Sequence, residues 1–144
     1  MKHLILVLII GSLGCVSYEK DDREKAIQHV VLCWLKEPGN QLHRNQIIEV
    51  SKTFRNIPGV LEVRVGEVIE SDRAIVDDSF DVAILVVVPD GKYLQDYLDH
   101  PLHQTTKTQV LLPLVEKVVV YDFQEELLYF LRTFSSTGVE QGLE

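Results

Sequence analysis

Two segments of this chain carry apolar side chains on both faces of a strand. In residues 27–36, one face has Ile27, His29, Val31, Cys33 and Leu35, and the other has Gln28, Val30, Leu32 and Trp34. Residues 80–88 repeat the pattern, with Phe80, Val82, Ile84, Val86 and Val88 on one face and Asp81, Ala83, Leu85 and Val87 on the other. A strand of this kind needs cover on both sides. Both segments are therefore predicted to lie in the middle of a sheet.

The residues between these two strands predict a helix and an edge strand. After the turn at residues 38–40, apolar residues recur at helical spacing up to Ile57, with Asn40 as the N-cap. Residues 61–66 alternate strictly between apolar and polar or small side chains, so that one side of this strand is solvated. Residues 70–79 are polar, lack periodicity and are predicted to form a loop. A strand with one solvated side belongs at a sheet edge.

The second half of the domain repeats the alternation of helix and strand. Asp90 is predicted to cap a helix that ends at His100, because a residue before proline disfavours the α conformation. Residues 102–111 are expected to add one or two helical turns, and residues 118–123 a fourth strand. The order β-α-β-β-α-β predicts an α+β, ferredoxin-like fold with a four-stranded antiparallel sheet. Its helices can cover one face of the sheet, so we expect a homodimer to cover the other.

Composition limits the classes of function. The chain has 144 residues, 46% hydrophobic and 25% charged, which suits one globular domain. Its net charge of −8, without a cluster of lysine or arginine, argues against nucleic acid as a partner. The sequence contains no glycine-rich phosphate loop, no G-x-S-x-G and no C-x-x-C, so no cofactor is predicted.

The first residues have the layout of an export signal. The chain starts with the basic residues Lys2 and His3 after Met1, residues 4–10 are seven apolar residues, and Gly14 precedes Cys15. This layout predicts a signal peptide over residues 1–14 and a tether over residues 15–26. The Gly14-Cys15 junction resembles the processing site of bacterial lipoproteins, which implies lipidation of Cys15 and a lipid-anchored location in a bacterial cell envelope. Ordinary secretion, with a periplasmic or extracellular location, and a buried strand are the alternatives.

The last residues predict a further helix. Residues 124–134 have acidic residues in the first turn and an apolar stripe at Leu127, Phe130, Leu131 and Phe134. This amphipathic helix is expected to pack on its own dimer, with a partner protein or a membrane surface as the alternatives. Residues 135–144 are predicted to be disordered.

Residues 97–103 hold the groups best suited to chemistry. Tyr97 ends the helix that stops at His100-Pro101, and His103 follows the break. Together with the IQHVVL motif at residues 27–32 and LPLVEKVVVYDF at residues 112–123, this segment resembles the stress-responsive dimeric α/β-barrel (Dabb) family. The resemblance covers residues 27–123 and implies two sheets packed into an α/β barrel in a homodimer. The predicted boundaries of the domain, residues 27–123, follow from this resemblance.

The resemblance also implies a cavity between sheet and helices. In polyketide-cyclase members, histidines matching His29 and His103 serve acid/base chemistry, and a tyrosine matching Tyr97 lines the pocket. Two hypotheses follow: a membrane-anchored module that binds a small hydrophobic ligand, and a cyclase-like lyase. The histidines could instead cap a helix or satisfy buried hydrogen bonds. A metal is not predicted, because Pro101 interrupts the helix between His100 and His103 and no third ligand is evident.

Overall fold

The computed structural model describes residues 25–126 of the chain. The predicted signal peptide, Cys15, most of the tether, nearly all of the C-terminal helix and the tail lie outside the described residues. Of the helices in the described part, none has the length and apolar character needed to cross a membrane.

Four strands form a single antiparallel sheet with the helices on one side. The elements in chain order are β1 (Ile27–Leu35), α1 (Gln41–Lys52), a 3-10 turn (Thr53–Asn56), β2 (Glu62–Glu67), β3 (Val82–Val88), α2 (Gly91–Asp99), α3 (Pro101–Thr106), a π-helical turn (Lys107–Leu111), α4 (Leu112–Leu114) and β4 (Val115–Gln124). The strand order is β2-β3-β1-β4. The predicted ferredoxin-like fold is confirmed, with β1 and β3 in the middle and β2 at an edge.

Helices α1 and α2 begin at the predicted caps. The side-chain oxygen of Asn40 accepts hydrogen bonds from the N–H groups of Leu42, at 3.0 Å, and His43, at 3.2 Å. Asp90 accepts in the same way from Lys92 and Tyr93, at 2.8 and 3.1 Å. Each cap satisfies two N–H groups that have no partner inside the helix.

The chain beyond His100 is more helical than predicted. His100 is extended, with ψ of 136°, so α2 ends there as the following proline requires. Its ring Nδ1 then accepts a hydrogen bond from the N–H of Leu102 at 3.1 Å, and Pro101 occupies a first-turn position that needs no donor. Helical structure therefore continues through α3, the π-helical turn and α4. Strand β4 begins at Val115, three residues earlier than predicted, because Val115 pairs with Leu35 beyond an irregularity in the ladder.

The hydrophobic core lies between the sheet and the helices. It joins the helix-facing residues of β1 and β3 to side chains of α1, the 3-10 turn and α2, among them Val31, Leu35, Ile47, Phe54, Ile57, Ile84, Val86 and Tyr97. Cys33 is fully buried in this layer as a free thiol. Burial, helped by the charge of Asp81, raises the pKa of this thiol to about 12. Cys33 therefore packs as a small apolar side chain.

Asp81 differs from the simple alternation of the third strand. It precedes β3, is 5% exposed, and accepts hydrogen bonds from the N–H of Leu35 at 2.9 Å, the N–H of Gly39 at 3.1 Å and the Arg44 guanidinium at 2.8 Å. Burial disfavours the charged carboxylate, but the hydrogen bonds from Leu35, Arg44 and Gly39 outweigh burial and lower its pKa. This one side chain joins the end of β1, the following turn and α1 to the start of β3.

The other face of the sheet is apolar and open. Val30, Leu32 and Leu85 are only half-buried there, and the adjacent Tyr121 and Phe123 of β4 are 57% and 55% exposed. The loop before β3 touches one end of this face, where Trp34 Nε1 donates to the Ser79 hydroxyl at 3.0 Å. Within residues 25–126 no helix lies on this side of the sheet. We call the surface formed by Val30, Leu32, Leu85, Tyr121 and Phe123 the open sheet face.

Candidate functional site

A cavity of about 180 Å³ lies between the sheet and the helices. Strands β1, β3 and β4 form its floor, and α1, the 3-10 turn, α2, α3 and the π-helical turn form its walls. The lining side chains are His29, Val31, Ser51, Phe54, Ile84, Tyr97, Leu98, His103, Thr106, Lys107, Leu111, Val118 and Val120. Most of this lining is apolar, with a few polar groups set into it. This is the usual make-up of a site for a small organic molecule.

Tyr97 is at the centre of the polar groups. Helix α2 places it so that only 2% of the residue is exposed, and its ring centroid lies 4.6 Å from that of His103 and 5.7 Å from that of His29. Phe54 packs edge-on against the same ring at 5.7 Å. Burial raises the pKa of the phenol well above its usual value. Tyr97 is therefore a neutral hydroxyl that can donate a hydrogen bond near neutral pH.

His103 reaches the cavity from α3. Its Nδ1 donates a hydrogen bond to the carbonyl oxygen of Leu98 at 2.9 Å, since a carbonyl can only accept. In the neutral ring this leaves Nε2 as the nitrogen with a free lone pair. The pKa of His103 is lowered, chiefly by burial. The hydrogen bond to Leu98 raises this pKa, and the charges of Lys107 and His29 lower it further. A proton acceptor is thus available at the cavity wall.

His29 is held by a carboxylate on the neighbouring strand. It is 5% exposed, and its Nδ1 lies 2.6 Å from Oδ1 of Asp122, its direct cross-strand partner in β4. A carboxylate can only accept this hydrogen bond, so Nδ1 of His29 carries the proton. In the neutral ring Nε2 of His29 then has a free lone pair, as Nε2 of His103 does. A carboxylate in this position fixes the ring orientation and stabilises the imidazolium if the ring is protonated.

The structure brings together the three residues predicted from the sequence. His29, Tyr97 and His103 all line the same cavity, whereas Cys15 lies outside residues 25–126. His100 is not part of the lining, because its ring caps α3. The part of the chain described by the structure contains no group of three or more histidine, cysteine, aspartate or glutamate side chains that could hold a metal ion.

Two residues of the site were missed by sequence reasoning. Asp122 lies on the same side of β4 as Val118 and Val120, and it would have been found by pairing residues 118–123 against β1 in antiparallel register. Lys107 lines the cavity from the first position of the π-helical turn. No pattern in residues 101–114 signals a π-helical turn, so the position of Lys107 has no clear sequence signal.

The arrangement is suited to moving a proton next to an apolar molecule. Two basic Nε2 atoms, one on each histidine, flank a neutral phenol within one small cavity. A histidine close to neutrality can accept a proton in the transition state, and a phenol can donate to a developing oxyanion. Such a set needs no metal or organic cofactor for acid/base work.

Known proteins share this fold. The hydroxynitrile lyase of Passiflora edulis superimposes with a TM-score of 0.61 at 22% identity, over 72% of this chain and 95% of that one. A Dabb family protein with a ferredoxin-like fold from Mesorhizobium loti gives 0.57 at 22% identity, over 69% and 95%. A dimeric ferredoxin-like protein of unknown function from Thermobifida fusca gives 0.58 at 18%, over 72% and 93%. Identities this low establish the fold only.

Comparison by sequence identifies the family, which the structural comparisons do not. No curated protein is similar enough in sequence to count as a match. The family described as the stress responsive A/B barrel domain, Dabb, matches residues 27–125, which is more than half of the chain and includes every element from β1 to β4. On the strength of this match, the chain belongs to the Dabb family.

Proposed function

We propose that this protein is a homodimeric Dabb module that binds a small, largely apolar molecule in the cavity between its sheet and its helices. The observation that carries the proposal is the convergence of His29, Tyr97 and His103 on one apolar cavity. A volume of about 180 Å³ is below the ~300–1,000 Å³ of most ligand pockets. The expected ligand is therefore compact, with one or two polar groups to meet the histidines and the phenol.

The dimer in this proposal is supported by the open sheet face. Its half-buried aliphatic residues and the exposed Tyr121 and Phe123 form an apolar surface that the described residues of one chain leave in water. Burying such a surface is favourable by ~25 cal/mol per Å². Solved proteins with this fold from Thermobifida fusca, Bacteroides fragilis and Jannaschia are described as dimeric. A second copy of this chain is the occupant we propose for the face.

Blocking the cavity tests the binding function. Val120 lines the cavity and is 46% exposed, so Val120→Trp should fill the opening without disturbing the buried core. Leu112→Trp is the matched control, because Leu112 is 49% exposed and lies outside the lining. Metabolites retained by the protein from a cell extract are identified by mass spectrometry. Compounds held by the wild type and by Leu112→Trp should be lost from Val120→Trp; equal retention by all three would contradict the proposal.

A second candidate is an acid/base lyase, favoured by the 2.6 Å contact between His29 and Asp122 and by the free Nε2 of His103. In this scheme Nε2 of His103 takes the proton of a substrate hydroxyl. The electron pair left on oxygen forms a carbonyl, the adjacent carbon–carbon bond breaks, and the leaving carbanion is protonated by an imidazolium at His29. Tyr97 donates to the oxygen while charge develops there. A hydroxynitrile lyase of the same fold makes this reaction class a reasonable one to assay.

We further propose that the mature protein is anchored to a membrane of a bacterial envelope through a lipid on Cys15. The support is the apolar run at residues 4–10, followed by Gly14-Cys15, in a layout typical of lipoprotein signals. Two or more acyl chains on one residue give stable anchoring, whereas a single chain binds only marginally. The tether would then place the cavity in the compartment outside the cytoplasm.

Replacement of Cys15 tests the anchor. We expect Cys15→Ala to abolish acylation and to move the protein from the detergent phase to the aqueous phase of a two-phase extraction. Cys33→Ala is the control, because Cys33 is a buried thiol and its loss should leave partitioning unchanged. A wild-type protein that is found in the aqueous phase, with a mass that shows no acyl chain, would refute the anchor.

A further inference from the structure

Lys107 occupies an unusual position in the cavity wall. It is the first residue of the π-helical turn, and the last residue of that turn, Leu111, also lines the cavity. A π-helical turn is wider than an α-helical one, is rare, and often occurs at functional sites. In an α-helix, residues four apart lie nearly above one another on one face. Lys107 and Leu111 are four apart, and the two ends of this turn contribute a cation and an aliphatic side chain to the lining of the same cavity.

The ammonium group of Lys107 has no acidic partner in the described domain. Residues 25–126 contain six ion pairs, and Lys107 belongs to none of them. The side chain is half-buried, so part of its stem packs against the wall. Its charge is near enough to His103 to contribute to the lowered pKa of that ring. An unpaired cation beside an apolar cavity attracts a negative group more strongly than the same cation in water.

Two hydroxyl-bearing residues of the cavity lining can also contribute to binding an anion. Ser51 and Thr106 line the cavity with 1% and 5% exposure, and their hydroxyls can donate hydrogen bonds. The carboxylate of Asp122, which would repel an anion, contacts the His29 ring and is not part of the lining. Apart from Tyr97 and the two histidines, the remaining lining residues are aliphatic, with one phenylalanine. The cavity therefore offers one lysine ammonium group, the hydroxyls of Ser51, Thr106 and Tyr97, two histidine rings and space for a small hydrocarbon group.

We propose that the ligand of this cavity is a small monocarboxylate, with its carboxylate paired to Lys107 and its apolar part against Phe54, Ile84 and Val31. This inference rests on the proposed binding function and narrows it to a chemical class. One lysine balances one carboxylate, whereas a phosphate dianion carries a second charge for which the lining has no further lysine or arginine. The protein itself carries a net charge of −8, so binding of an anion depends on this local cation.

The test compares two probes of the same chain length, hexanoate and 1-hexanol, by titration calorimetry on the full chain. The wild type should bind hexanoate about tenfold more tightly than 1-hexanol, the size expected for one hydrogen bond to a charged group. Lys107→Met keeps most of the length of the side chain and removes the charge. It should lose about tenfold in affinity for hexanoate and leave the affinity for 1-hexanol unchanged. Lys107→Arg keeps the positive charge and should therefore retain the preference for hexanoate over 1-hexanol.

Lys92→Met is the matched control, because Lys92 is a surface lysine on α2, paired with Asp96 and outside the cavity lining. It changes the net charge by the same amount and should bind both probes like the wild type. Equal affinity of the wild type for the two probes, or equal losses in Lys107→Met and Lys92→Met, would overturn the monocarboxylate inference while leaving the binding function intact. A wild type that binds neither probe would count against the binding function itself, and the inference would fail with it.

Discussion

Leu85→Arg is expected to convert the protein from a dimer to a folded monomer at micromolar concentration. Leu85 lies in the middle of the open sheet face, with Val30 of β1 as its cross-strand neighbour on one side and Arg64 of β2 on the other. A new arginine there would place an unpaired charge inside the proposed interface, next to an existing arginine. Leaving one charge uncompensated in a buried site costs about 3–5 kcal/mol. Light scattering measures the resulting mass.

The control for this variant makes the same chemical change elsewhere. Leu42 is 79% exposed on α1, so Leu42→Arg should remain dimeric. Circular dichroism should show both variants folded, because the core between sheet and helices does not include Leu85. Leu85 is a cleaner choice than Trp34, whose ring contacts Ser79, Phe80 and Lys117 of its own chain. A dimeric Leu85→Arg, or a monomeric wild type, would contradict the face-to-face dimer.

Under the acid/base lyase proposal, His103→Gln should lower the rate of cyanohydrin cleavage by about 10²–10⁴-fold, the usual contribution of one general acid or base. The amide can still donate to the carbonyl of Leu98, which also accepts from Gln104, so little stability should be lost. Release of cyanide measures the reaction. A wild type that is inactive on cyanohydrins would rule out that substrate class. Unchanged activity in the variant would remove His103 from the mechanism.

The pH dependence of folding provides a test of His103 without a substrate. Its pKa is lowered in the folded protein, so between that value and the ordinary value of about 6.5 the unfolded chain binds a proton that the folded chain does not. The stability due to neutral His103 is therefore complete above about pH 6.5 and is lost as the pH falls through the folded pKa. The charged groups that face the ring are Lys107 and His29.

Denaturant unfolding between pH 7.5 and 5 should accordingly show a smaller loss of stability in His103→Gln than in the wild type. His43→Gln is the control, because His43 lies on α1 outside the cavity lining and its removal leaves the contribution of His103 in place. If His103→Gln and the wild type lose the same free energy of unfolding on acidification, His103 is not held neutral by its surroundings.

The sequence was sufficient for the topology because the four strands and both longer helices, α1 and α2, each have a local signal. Apolar side chains on both faces identified β1 and β3 as central strands, and strict alternation of apolar with polar or small residues identified β2 as an edge strand. Asn40 and Asp90 marked the starts of two helices. His29, Tyr97 and His103 were found through their resemblance to family motifs. The cavity that joins them depends on packing, which a sequence pattern does not contain.

The residues that were missed depend on relations between distant segments. Asp122 meets His29 only through the register of β1 against β4, and that register shifts at an irregularity between Trp34 and Leu35. The alternation of residues 80–88 assigns Asp81 to the open sheet face. In the structure β3 begins only at Val82, and the Asp81 carboxylate accepts hydrogen bonds from N–H groups of β1 and of the turn that follows it. Short local windows contain none of these pairings.

The π-helical turn has a consequence for how this cavity could diverge among relatives. A turn of this kind differs from an α-helical one by about one extra residue, and each residue of an α-helix turns the chain by about 100°. Deleting a single residue within Lys107–Leu111 would therefore rotate the side chains that follow the deletion around the helix axis. One three-nucleotide deletion in the gene could then exchange the side chains that line the cavity while leaving the sheet, the dimer surface and both histidine-bearing elements as they are.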